Sequence, residues 1–92
     1  MEGGAPFLRL DAWLWRARLA RSKAECGAMI EASGFRLNRQ PVTKAHAKLR
    51  VGDVLTFVWK DEVQVWRVLA LGERRGPIDE ARLLYEEITI AE

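Results

Sequence analysis

Apolar residues recur along this chain at two different spacings, and the change of spacing marks its elements. Leu10, Trp13, Leu14 and Ala17 fall three or four residues apart in a stretch free of Gly and Pro. That spacing predicts a first helix, with Asp11 placed to cap its N-terminus. Ser22-Lys23-Ala24-Glu25 has the S-x-x-E form of a capping box, and predicts a second helix that buries Cys26, Met29 and Ile30 and stops at Gly34. Gly27 lowers helical propensity in that segment and gives a neighbouring helix or strand room to come close.

Beyond Gly34 the spacing drops to two. Phe35 and Leu37 point one way and Arg36 and Asn38 the other, as in a short half-buried strand. Asn38-Arg39 reads as a turn, and Gln40-Pro41-Val42 as an edge strand, because Pro41 has no N–H for a ladder. Residues 43–50 are polar and basic without a period and read as a loop. Gly52-Asp53 launches a β-branched and aromatic segment over 54–60, and 63–69 is its hairpin partner. Asp61-Glu62 at the connection leaves the turn type open. Helical spacing returns over 78–88 through Ala81, Leu84, Tyr85 and Ile88, predicting a short amphipathic C-terminal helix. Residues 1–8 read as a flexible leader to a single domain over 9–92.

Composition bounds what such a chain does. A domain of 92 residues buries roughly 60–65% of its unfolded surface, so its apolar residues are needed for one modest core and a large enclosed active site is not expected. One cysteine excludes an internal disulfide, and no Cys/His spacing resembles a zinc site. Neither a signal-peptide pattern nor an apolar run of the ~20 residues that span a bilayer is present, which predicts a cytoplasmic protein with no membrane partner. The one histidine, His46, lies in a polar loop, and Cys26 falls on a buried stripe; neither has a partner for triad or dyad chemistry. With no GxGxxG, Walker A or paired-carboxylate motif, the expectation is a non-enzyme without cofactor, metal or small-molecule substrate.

Charge is more informative than its sum. The formal net charge is +2, but residues 9–50 hold ten basic and three acidic residues, and residues 51–92 five basic and nine acidic. Arg9, Arg16, Arg18, Arg21 and Lys23 crowd the first helix and the elbow between helices; Arg36 and Arg39 flank the next turn, and Lys44 and Lys48 the following loop. A solvated helical face would interleave acids at i,i+4, and this one has few. Ser22 opens a helix whose first N–H groups suit a phosphate. The pattern predicts a polyanion-binding surface. Trp13 falls on the apolar stripe, whereas Trp15 falls off it, a candidate for stacking on a base or for packing against the hairpin. Trp59 and Trp66, on opposite strands, would cover one sheet face. Duplex DNA fits less well, because Lys23 is the second helix's exposed cation where a recognition helix carries several base-reading side chains.

Arg9-Leu10-Asp11, Trp13-Leu14-Trp15, Ala17-Arg18, Arg21-Ser22-Lys23, Gly34-x-Arg36-x-Asn38 and Gly52-Asp53-x-Leu55 together resemble the small RNA-binding domain named after small-subunit ribosomal protein four. The R-L-D-x-W-L-W opening, the segment Val68-Leu69-Ala70-Leu71-Gly72-Glu73-Arg74-Arg75-Gly76, and residues 81–85 resemble the stand-alone fifteen-kilodalton ribosome-associated heat-shock protein family. The resemblance implies an α+β fold, a two-helix elbow packed on a small antiparallel sheet (the alpha-L RNA-binding motif), with the motif over about 9–58 and the hairpin and C-terminal helix over about 54–90. It implies RNA contact by Arg9, Arg18, Arg21, Ser22, Lys23, Arg36 and Asn38. Its partners would be rRNA of the large ribosomal subunit, notably subunits blocked by a nascent chain on tRNA, with peptidyl-tRNA a further partner and the free protein a monomer. The alternative role is an accessory subunit of an RNA-modifying or aminoacylating enzyme. Three departures stand out: Ala12 where relatives commonly carry Lys, Arg39 in place of the glycine of an Asn-Gly turn, and no long basic tail after the last helix.

Overall fold

The computed structural model of the chain describes residues 5–32 and 34–88; residues 1–4 of the expected leader and residues 89–92 lie outside them. Its architecture is α+β. In chain order the elements are β1 (Leu8–Arg9), α1 (Leu10–Arg16), α2 (Lys23–Glu31), β2 (Arg36–Leu37), β3 (Gln40–Pro41), β4 (Lys48–Leu49), β5 (Val54–Trp59), β6 (Glu62–Val68), α3 (Ile78–Ala81), a 3₁₀ turn (Arg82–Leu84) and β7 (Tyr85–Glu87). A five-stranded antiparallel sheet runs β3-β2-β5-β6-β7, and β1 pairs with β4 in a separate two-stranded ladder. The α1–α2 elbow packs on the larger sheet through Leu10, Trp13, Leu14, Cys26 and Ile30 from the helices and Leu55, Phe57, Trp66 and Val68 from the strands.

Aromatic rings organise this core. Phe35 stacks on Phe57 at 4.9 Å, Phe57 meets Trp66 edge-on at 4.9 Å, and Trp66 stacks on Tyr85 at 3.8 Å. Trp13 meets both Trp66 and Tyr85 edge-on. Its indole N–H is satisfied by the Ala70 carbonyl at 2.9 Å, as a buried tryptophan requires. Trp59 and Trp66 share the core face of the hairpin, as expected, with Trp66 the more deeply buried.

Several local expectations are corrected. The N-cap of α1 is Arg9, in an extended conformation and without a side-chain cap. Asp11 sits inside the first turn, where its carboxylate accepts from the Ala12 N–H at 2.7 Å and from the Arg9 guanidinium at 3.0 and 3.1 Å. An acid there still complements the helix dipole. Leu8, assigned to the leader, is paired with Leu49, and Lys48–Leu49, assigned to a loop, forms its partner strand. Two-residue ladders are too short to leave a periodic signature.

Both hairpins close on two residues of positive φ, Asn38 (51°) with Arg39 (73°), and Lys60 (53°) with Asp61 (65°). Paired positive φ is the signature of the type I′ turn, whose twist matches the strands. The second turn therefore falls one residue earlier than Asp61-Glu62. The C-terminal helix is the largest correction. Ala81 and Leu84 are buried at helical spacing as predicted, but the α-helix ends at Ala81. Residues 85–87 leave it to pair with β6. The bare edge of β6 offers backbone partners that a short, marginal helix does not. Tyr85 gains the Trp66 stack, and Glu86 forms a 2.9 Å ion pair with Arg67 directly opposite.

Candidate RNA interface

The second helix begins as its sequence dictates. Ser22 Oγ accepts from the Glu25 N–H at 3.0 Å, while the Glu25 carboxylate reaches back to the N–H of Arg21, one residue beyond the cap. This reciprocal cap fixes the chain at 21–25 and leaves Arg21 and Lys23 exposed at the helix start. Gly27 does the job predicted for it, with a loop instead of a helix or strand as the neighbour. A Cβ at Gly27 would lie 3.3 Å from the Ala45 Cβ. The loop carrying Lys44 is thereby laid over the elbow, and its Ala45 and Ala47 carbonyls accept from the Asp11 and Leu10 N–H groups that open α1.

The pairing of β1 with β4 sets Arg9 opposite Lys48. Phe7 lies beneath this cluster, 4.7 Å from the Lys48 ammonium and 5.8 Å from the Arg50 guanidinium. Arg36 and Arg39 are exposed on the β2–β3 hairpin, with Arg36 Nη1 donating to the Arg39 carbonyl at 3.4 Å. The exposed cations of residues 9–50 thus form three groups: Arg9, Lys44 and Lys48 in and before β4, Arg21 and Lys23 at the start of α2, and Arg36 and Arg39 at the hairpin tip. Apart from the Arg9–Asp11 pair, none of these seven is held in an ion pair among the described residues.

Other candidate residues are committed inside the fold. Arg16 donates to the Gly72 carbonyl at 2.7 Å, and Arg18, whose own φ is 66°, donates through Nε to the carbonyl of Gly76. In return Arg75 donates to the Trp15 carbonyl at 3.1 Å and the Ala20 carbonyl at 3.3 Å. Three guanidinium groups therefore staple the elbow to the segment over 71–77. Trp15 is half-buried between Arg75 and Lys23, whose charges sit 5.4 and 5.0 Å from its ring centre, so its ring is partnered by cations within the protein. The Asn38 amide is likewise occupied: it donates to Asp53 at 3.1 Å and accepts from the Val54 N–H at 2.9 Å, holding the turn to β5.

Arg50, beside Phe7 in the cationic surface, and Arg75, in the staple, both escaped the sequence reading. Arg75 was visible only as part of the Glu73-Arg74-Arg75-Gly76 motif, and its role depends on a contact with Trp15 made across 60 residues. His46 is exposed in the loop. Cys26 is fully buried, and burial pushes its thiol up from 9.0 to about 11, so it is a protonated filler of the core at neutral pH. No helix among the described residues is long and apolar enough to cross a membrane.

A two-helix elbow on an antiparallel sheet, edged by exposed cations, is the arrangement of a small RNA-binding domain, and comparison with known proteins agrees. A model of the S4 domain family matches residues 8–55, and the chain belongs to that family. More particularly, it is similar to heat shock protein 15 of Escherichia coli K12, 36% identical over 86 residues, covering 94% of this chain and 64% of the relative. The heat shock protein 15 homolog of Haemophilus influenzae is 35% identical over 80 residues, covering 87% and 60%. The solved trimeric structure of Vibrio cholerae heat shock protein 15 superposes with a TM-score of 0.82 at 25% identity, covering 90% of this chain and 83% of that one. The chain spans a little under two thirds of the length of the curated relatives it matches.

Proposed function

We propose that this protein binds structured rRNA of the large ribosomal subunit and acts on subunits blocked by a nascent chain on tRNA. One observation carries the reading: seven exposed cations stand in the first 48 residues within or beside the elements of an S4 domain, with a single ion pair to an acid among the described residues. Phosphates supply the affinity, and the spacing of the three cation groups supplies preference for RNA of matching shape. The similarity to heat shock protein 15 supports a role under stress. Arg9, Arg21, Lys23, Arg36, Arg39, Lys44 and Lys48 make the contacts, with Ser22 presenting the start of α2. Arg16 and Asn38 hold the surface in shape, and Arg18 does so in part.

The salt dependence of binding tests this. Five to seven phosphate contacts give a slope of log affinity against log salt of about −4 to −6. Titration of isolated large subunits with the protein between low and physiological salt should show it. A flat response would refute the phosphate-contact reading.

A further inference from the structure

A cleft of about 380 Å³ opens beside the elbow, and Arg18, Trp59, Gln64, Tyr85, Arg82 and Glu87 are among the residues that line it. We propose that this cleft is a binding site for a guanine nucleotide, occupied by a guanine turned out of the bound RNA. The proposal deepens the RNA-binding reading by naming a base and the residues that select it. Its size is right for one nucleotide, and small-ligand sites begin at about 300 Å³.

The walls are aromatic and prepositioned. Tyr85 is fixed by its 3.8 Å stack on the buried Trp66, and Trp59, half-buried at the end of β5, carries one cation, the Lys60 ammonium 4.5 Å from its ring centre, where Trp15 carries two. Such surfaces take a flat π-system without needing to move. Polar and charged groups line the cleft beside these rings. Arg82 and Glu87 both act on the Tyr85 hydroxyl, whose ionisation is opposed first by burial, then by the Glu87 carboxylate, and eased by Arg82. Arg18 keeps its terminal guanidinium nitrogens without a protein partner among the described residues, since its bond to Gly76 uses Nε. Arg18 and Arg82 thus provide cations for a phosphate.

Glu87 decides which base. A carboxylate in a cleft that takes an anionic ligand is repulsive unless the ligand brings donors to it. Guanine alone among the four neutral bases presents two N–H donors side by side, N1–H and the 2-amino group, matching the two oxygens of a carboxylate. Gln64 adds an amide whose Oε1 accepts from Trp66 Nε1 only at 3.4 Å, leaving its NH₂ to donate to the base carbonyl. Glu87 forms no ion pair among the described residues.

The test is titration of the full chain with GMP, AMP, CMP and UMP, read by tryptophan fluorescence, and with single-stranded oligoribonucleotides carrying one guanine or none. GMP should bind about tenfold more tightly than the other three, the increment expected of charge-assisted hydrogen bonds. E87Q should erase that preference, and W59A should weaken all four by about tenfold, each variant retaining its far-UV circular dichroism. Preference for the guanine oligonucleotide that tracks the same variants places the base in RNA; preference confined to GMP assigns the cleft to free nucleotide. Equal binding of the four mononucleotides, or a guanine preference that survives E87Q, overturns the proposal. Because R21E/K23E alters the elbow and not the cleft, loss of subunit binding in that variant with intact GMP binding tests the RNA reading separately.

Discussion

Arg16 and Lys23 look alike in the sequence, two cations seven residues apart near one elbow, yet their charges end in different places. Arg16 is drawn to the Gly72 carbonyl, while Lys23 stays exposed over Trp15. The difference arises from a segment more than 50 residues away and is invisible to any local pattern. It also sorts the substitutions. Arg75→Ala removes two charge-assisted bonds to the elbow and leaves the Ala20 carbonyl without its donor, while the Trp15 carbonyl keeps the Arg18 N–H at 3.1 Å, so it should lower stability by about 1–3 kcal/mol in urea unfolding. Arg21→Ala, on an exposed side chain, should stay within about 0.5 kcal/mol. Cys26 makes a second residue-scale prediction. Its thiol, held near 11 by burial, should resist maleimide at neutral pH in the folded protein and react fully in urea. The folded state keeps this proton more tightly than the unfolded chain. The resulting stability is therefore complete below pH 9.0 and is lost as pH rises towards 11, which alkaline unfolding curves should show.

At the scale of elements, legibility followed the strength of local signals. The α2 start was readable because a capping box is a local bargain between Ser22 and Glu25, and the β5–β6 pair because β-branched and aromatic residues fill both strands. The C-terminal strand was not. Tyr85 satisfies helical spacing and strand pairing equally, and only the presence of Trp66 and Arg67 on the neighbouring strand decides between them. The β1–β4 ladder was lost for the same reason, since nothing in 8–9 or 48–49 announces a partner 40 residues away. The Asn38-Arg39 turn was legible in full, including its cost. Arg39 has φ 73°, a conformation that glycine adopts freely and arginine does not. Arg39→Gly should therefore raise stability by up to about 1 kcal/mol while weakening RNA binding, measured by unfolding and by subunit titration on the same variant. A side chain retained against its backbone preference fits a functional charge.

Across the whole molecule, the division into a basic first part and an acidic second part matches a division of labour. Residues 9–50 form the elbow and its cationic surface, whereas β6, α3 and β7 hold Glu62, Asp79, Glu80, Glu86 and Glu87. The two parts are joined by the Arg16, Arg18 and Arg75 staples as well as by the core. The candidate surface was thus readable as charge, though its membership was not: the fold withdrew Arg16 and Asn38 and added Arg50. On the proposed function, the exposed cations of the elbow bind RNA on the large subunit. Cosedimentation of the full chain and its R21E/K23E variant with purified large ribosomal subunits at low salt tests it most directly. The unaltered protein should pellet with the subunits and the variant should remain in the supernatant with unchanged far-UV circular dichroism; a variant that pellets as fully as the unaltered protein would contradict the account.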